Sequence, residues 1–212
     1  MKPQCTVIVL AAGVATRPDA SGHKLVQPLD GAGDEHTVLG VTLRNVLASR
    51  LPVVVVAATA VAPLAERLLG TDRVLQVAPQ RNRGVGDSIA AGVAARPEAS
   101  GWLVLPGDMP RVRPQTFQRV AAALASHAVA YAQLRGRRGH PVGFSAELYS
   151  ELVALTGDEG ARRLVARYPA EGVEVEDVGV LQDIDTLQDL AWLRNVPDGA
   201  AGPDRAEPWP RA

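Results

Sequence analysis

An acid held between two prolines stands out in Pro106-Gly107-Asp108-Met109-Pro110. Proline restricts the backbone, so Asp108 points in a fixed direction at the end of an apolar run, as a metal-ligating carboxylate must and as an Asp bonding its own turn does. A second acidic group lies in Gln182-Asp183-Ile184-Asp185-Thr186. Asp185 or Thr186 would cap the helix that follows, which leaves Asp183 for a cation. Phosphate chemistry also needs donors. Leu10-Ala11-Ala12-Gly13, followed by Thr16, Arg17, Ser21 and Lys24, combines small residues that let a ligand approach the backbone with side chains that reach phosphate oxygens. Apart from Lys2 and Lys24 every basic residue is Arg. An ammonium on a flexible stem can follow a phosphate that moves during reaction.

Two further loops combine glycine with polar groups. Asn82-Arg83-Gly84-Val85-Gly86-Asp87-Ser88 leads into a helical pattern and admits a base or sugar, or simply caps the helix through Asp87 or Ser88. Gly136-Arg137-Arg138-Gly139-His140-Pro141 reads as a charged loop between strands, suited to an anionic acceptor or to solvent, with His140 equally a structural hydrogen-bonding residue. Common phosphate loops are absent. There is no Gly-Lys-Ser/Thr, and Gly13 stands alone where a dinucleotide loop needs three glycines.

The elements that must position these loops alternate along the chain. Apolar runs at Thr6 to Leu10, Val53 to Ala57, Arg73 to Val77, Trp102 to Leu105, Val129 to Gln133, Val142 to Phe144 and Val173 to Val175 read as strands. Between them, Val38 to Ala48, Val61 to Leu69, Asp87 to Ala95, Pro114 to Ala125, Ala146 to Leu155 and Gly160 to Ala166 carry helical spacing, and Leu187 to Leu193 follows the last strand. Continuous apolar strands separated by helices predict an α/β fold with a mostly parallel sheet covered on both faces. Ligands of such sheets sit at the carboxyl ends of the strands, where these loops fall. We expect one domain over residues 1–195 and a loose tail over 196–212, rich in Pro and Gly and without periodicity.

The chain has 212 residues and a formal net charge of -1, too little basic surplus for a nucleic-acid groove. One Cys excludes a disulfide framework, and 47% hydrophobic residues suffice for a core. The run Val7 to Ala12 is too short to span a bilayer, and the first residues do not form a signal peptide, so a soluble, cytoplasmic protein is expected.

In order, Leu-Ala-Ala-Gly-x-x-x-Arg…Lys, Gly-x-x-x-Ser-Ile-x-x-Gly, Pro-Gly-Asp-Met-Pro, Gly-His-Pro-Val-x-Phe, Gly-Asp-x-Gly-Ala-Arg and Asp-Ile-Asp-Thr-x-x-Asp-Leu resemble the molybdenum cofactor cytidylyltransferases, a group of nucleotidyltransferases. The resemblance implies a three-layer α/β/α, Rossmann-like nucleotidyltransferase fold. It implies an Mg²⁺-dependent enzyme that transfers CMP from CTP to the phosphate of molybdopterin and releases pyrophosphate. By the same resemblance Ala11, Ala12, Gly13, Gly84 and Ser88 contact the nucleotide, Arg17 and Lys24 grip its phosphates, Asp108 and Asp183 hold the metal, and Gly139 and His140 face the acceptor. Lys24, Arg17 and Asp108 are the catalytic group, and a molybdoenzyme is the expected recipient.

The chain departs from that pattern at Ala15 and Pro18-Asp19, in a loop a little longer than usual, where Asp19 would repel a triphosphate unless turned outward. The alternatives are a related enzyme using GTP or another phosphorylated acceptor, a glycosyltransferase using Asp183-Ile184-Asp185, and a non-catalytic carrier of the cofactor.

Overall fold

The computed structural model describes residues 3–13, 23–78 and 84–195. Seven strands form one sheet: β1 (Thr6–Ala11), β2 (Val53–Ala58), β3 (Val74–Val77), β4 (Gly101–Pro106), β5 (Val129–Leu134), β6 (Arg137–Ser145) and β7 (Ala170–Glu174). Their order is β3-β2-β1-β4-β6-β5-β7. All neighbouring pairs are parallel except the two that involve β6, which runs against both β4 and β5.

The helices are α1 (Val38–Ala48), α2 (Ala62–Leu69), α3 (Val85–Ala94), α4 (Pro114–Ala123), α5 (Tyr149–Val153), α6 (Arg162–Arg167) and α7 (Leu187–Asn195). Strand alternation sorts them into two outer layers. Val7, Val9 and Ala11 of β1 pack with Leu39 and Leu43 of α1, Leu64 of α2, Phe117 and Val120 of α4 and Leu190 of α7. Ile8 on the opposite face packs with Ile89 and Val93 of α3, Leu152 of α5 and Leu164 of α6. Each such apolar side chain contributes roughly 1.5–3 kcal/mol on burial, which is why the central strands are nearly pure Val, Ile and Leu. The three-layer α/β/α arrangement agrees with the expectation from periodicity. Among the described residues no helix is long and apolar enough to cross a membrane.

Three elements differ from the pattern reading. Arg137 to Pro141, expected as a loop, belongs to β6. Pro141 cannot donate to a ladder, and the register between β5 and β6 shifts where it lies: Tyr131 pairs with Val142 and Gln133 with Arg138, leaving Gly139, His140 and Pro141 opposite Ala132 alone. The helix expected from Asp87 begins instead at Val85, with Gly84 at its N-cap and the Asp87 carboxylate bonded to Gly157 N–H. A short helical turn, Val178–Leu181, precedes the acidic segment and carries no periodicity that would reveal it. The expected tail over 196–212 lies outside the described residues.

Candidate active site

At the carboxyl end of β4 the backbone turns through Gly107 and Asp108. Gly107 N–H donates to the Leu10 carbonyl at the end of β1, 2.8 Å away. Two polar side chains on α1 hold the same turn from the other side: Thr42 Oγ1 donates to Gly107 O at 3.0 Å and Asn45 Nδ2 to Pro110 O at 2.8 Å. The fixed direction of Asp108 therefore comes from α1 as much as from its prolines. Thr42 and Asn45 escape sequence reasoning, although two polar residues three apart on an otherwise apolar helix face are the signal that marks them.

Ile184 N–H donates to the Asp108 carbonyl at 3.0 Å, a bond that ties the two acidic segments together. Thr186, not Asp185, starts α7 with a reciprocal cap: its Oγ1 accepts from Asp189 N–H at 3.0 Å, while the Asp189 carboxylate accepts from the amides of Asp185 and Thr186. Asp185 is thereby left to meet Lys24. Lys24 Nζ lies 2.5 Å from Asp108 Oδ2 and 3.2 Å from Asp185 Oδ1. Burial works against the Lys24 charge, but Asp108 and Asp185 outweigh it and raise its pKa. Burial first, then the neighbouring charges of Asp185 and Asp108, push the Asp183 carboxyl up to about 6. Asp108 Oδ1 is buried and accepts no hydrogen bond from the described residues.

The donor end of the site surrounds the end of β1. Ala11 and Ala12 are buried, and Gly13 is exposed with open space where a side chain would stand. His23 closes the loop, its Nε2 3.1 Å from the Gly13 carbonyl. The expected phosphate ligand Arg17, with Thr16, Ser21, Ala15, Pro18 and Asp19, lies outside the described residues, as do Asn82 and Arg83.

On the α3 face a cavity of about 180 Å³ opens beside these strand ends. Leu10, Val104, Val142 and Phe144 line it, together with Val85 and Ile89 of α3 and the turn from Asp158 to Arg162. His140 lines the same cavity; burial lowers its pKa to about 4 against a hydrogen bond with the Val104 backbone. The turn is fastened to α3: Gly86 N–H donates to Gly157 O at 2.8 Å, and the Asp87 carboxylate accepts from Gly157 N–H at 3.0 Å. A Cβ on Gly84 would stand 2.2 Å from Gly157 C, and one on Gly139 2.2 Å from Val180 O. Both glycines are thus required by packing against this chain's own backbone. Ser88 is buried beneath the same helix end.

A mostly parallel sheet of this order, with donors and acids at the carboxyl ends of its strands, is a Rossmann-like α/β architecture suited to a nucleotide. Residues 7–173 match the MobA-like NTP transferase domain, and the chain belongs to that family. The purine catabolism protein PucB of Bacillus subtilis is 31% identical over 209 residues, covering 92% of this chain and 98% of that protein. The bifunctional protein GlmU of Corynebacterium aurimucosum is 29% identical over 84% of this chain, which spans only 38% of GlmU. Rv0371c of Mycobacterium tuberculosis has the same fold, with a TM-score of 0.76 and 28% identity over 92% of this chain and 100% of that one. A second structure of Rv0371c is a manganese complex, at 27% identity and a TM-score of 0.72 over 92% of this chain and 100% of that one.

Proposed function

We propose that this nucleotidyltransferase moves CMP from CTP to the phosphate of molybdopterin, forming the cytosine dinucleotide cofactor and pyrophosphate. The observation that carries the reading is the meeting of Lys24, Asp108 and Asp185 at the carboxyl end of β4, beside Asp183 and the small residues Ala11 to Gly13. The choice of CTP and molybdopterin rests on the resemblance through Leu-Ala-Ala-Gly and Gly-His-Pro, and the manganese complex of Rv0371c supports a divalent metal.

The acidic residues suit a hard cation. A buried Asp108 oxygen accepts no hydrogen bond from the described residues, and Asp183 is crowded by like charge, so a cation would relieve both. Among the described residues no three metal-ligating side chains are gathered closely enough to hold an ion by themselves. Two carboxylates plus substrate phosphate oxygens is the donor set that Mg²⁺ ordinarily takes. Asp108 and Asp183 would hold it, and the ion would supply charge neutralisation at the reacting phosphates.

The chain's own residues position and neutralise. Ala11, Ala12 and Gly13 let the nucleotide lie against the end of β1, and by the resemblance Gly84 and Ser88 would contact its base or ribose. Arg17 and Lys24 stabilise the charge that builds on the departing pyrophosphate. An acceptor phosphate, with a second pKa of about 6, is mostly dianionic at neutral pH, so its oxygen attacks the α-phosphorus without a protein base. That oxygen forms the new P–O bond as the bond to the β-phosphate breaks. The cavity lined by His140, beside Gly139, would take the ring portion of the acceptor, with Leu10, Val104, Val142 and Phe144 against the ring and the polar turn from Asp158 to Arg162 at its edge.

The test is pyrophosphate release with Mg²⁺ and molybdopterin, comparing CTP, GTP, ATP and UTP, with Asp108→Ala as control. CTP-dependent release that disappears in the control is the expected result. Release with another nucleotide keeps the mechanism and changes the product. No release despite nucleotide binding directs the search to another phosphorylated acceptor or to a cofactor carrier.

A further inference from the structure

Lys24 occupies ground that, on the reading above, a cation needs. Its Nζ contacts Asp108 Oδ2 at 2.5 Å and Asp185 Oδ1 at 3.2 Å, so one ammonium joins the two acidic segments. We propose that Lys24 is the resident counter-ion of this acidic cluster: it holds Asp108 while nucleotide is absent, and the triphosphate draws it away so that the divalent cation enters with the nucleotide and not before it. The inference rests on Asp108 being a ligand of that cation.

Three observations support it. An ammonium against Asp108 Oδ2 and a divalent cation on the same carboxylate repel each other, and partial burial weakens the screening between them. The two therefore compete. Second, the backbone around Lys24 is held in place. Leu25 is buried, Gln27 N–H donates to Lys24 O at 3.2 Å, Val38 N–H donates to Gln27 O at 2.9 Å, and the Arg194 guanidinium of α7 donates to Pro28 O. Exchange then needs only rotation of the four-carbon stem. Third, Lys24 is the only lysine among the described residues, in a chain whose other basic groups there are Arg or His. A guanidinium would grip Asp108 through a two-pronged bond and release it poorly, whereas an ammonium is a point charge that transfers readily between oxygens.

The test is Mn²⁺ binding followed by electron paramagnetic resonance, for the wild type, Lys24→Met and Asp108→Asn, each alone and with non-hydrolysable analogues of CTP and GTP in turn. Lys24→Met alone is expected to bind Mn²⁺ at least about tenfold more tightly than the wild type alone, as removal of one competing charge predicts. The enhancement of Mn²⁺ binding by nucleotide is expected to be smaller in Lys24→Met than in the wild type. Equal Mn²⁺ affinity of the two proteins without nucleotide overturns the proposal while leaving Asp108 as a ligand. Mn²⁺ binding that survives unchanged in Asp108→Asn overturns the metal reading itself, and this inference with it.

A variant-free measurement guards against misfolding. With only Lys2 and Lys24 in the sequence, protein labelled with ¹³C-lysine gives two side-chain ε-methylene signals. The Lys24 signal should stay in place on adding Mg²⁺ alone and move when a nucleotide analogue is added. Movement with Mg²⁺ alone, of the size the analogue causes, sinks the idea.

Discussion

Asp108 and Asp183 are kept close against their mutual repulsion, and that cost is the residue-level mark of a site selected for something other than stability. Asp183 is pushed up to about 6 by burial and by its acidic neighbours, so at neutral pH the folded protein carries an ion it would hold more easily as an acid. Replacing Asp108 by Ala removes one of those charges. Turnover in Asp108→Ala should fall at least about 100-fold, as loss of a group that stabilises transition-state charge predicts, while the melting temperature changes little, because relief of Asp183 offsets the lost ion pair with Lys24. Steady-state pyrophosphate release and a thermal melt check both halves, and a large fall in melting temperature would make Asp108 a structural residue. Lys24→Arg keeps the charge but replaces a mobile point by a planar fork. Its kcat should drop at least about tenfold with the nucleotide still bound, and near-normal rates would mean that charge alone suffices.

At the scale of elements, the site depends on contacts between a helix and a turn that are far apart in sequence. Thr42 on α1 donates to Gly107 O from a fully buried position. Thr42→Val removes a hydroxyl shared between Gly107 O and Val38 O, 2.9 Å away, and should cost about 1–3 kcal/mol in urea unfolding. It should also lower kcat more than it raises KM, since the turn carrying Asp108 loses a restraint; a loss of stability with unchanged kcat would confine Thr42 to packing. On the other face Gly84→Ala places a Cβ against Gly157 backbone, which has no flexible side chain to give way. An overpacking cost of about 1–3 kcal/mol is expected, with faster amide exchange across residues 156–160 as the turn lifts off α3. Unchanged exchange there would show that the helix shifts instead.

These same contacts explain what could be read from the chain. The strands Thr6–Ala11, Val53–Ala58 and Gly101–Pro106 announce themselves because both faces of a parallel sheet are buried, and Asp108 and Lys24 announce themselves by proline and by rarity. β6 does not, because Gly139 and Pro141 are turn residues everywhere except at a bulge, and the pairing that creates the bulge is with β5. The meeting of Asp185 with Lys24 spans most of the chain and depends on which residue caps α7, a choice that Asp189 makes three residues later.

For the whole molecule, placing His140 half-buried in β6 beside the cavity couples the fold to pH. The folded imidazole titrates near 4, whereas an exposed one titrates near 6.5. Between those values the unfolded chain binds a proton that the folded protein does not, so unfolding gains ground as pH falls. The contribution is complete above about pH 6.5, shrinks as pH drops, and stops changing below about 4, where the folded form also takes the proton. Its full size is about 3 kcal/mol. Asp183 acts in the opposite sense, because its folded pKa is raised, so the total curve mixes the two. The difference between the wild type and His140→Gln isolates the histidine. Urea unfolding at several pH values from 7 to 4 should give a steeper loss of stability for the wild type than for His140→Gln, the gap amounting to about one proton. Parallel curves would mean that the imidazole titrates in the fold as it does in the unfolded chain, and the desolvation argued for His140 beside the cavity would then have to be abandoned.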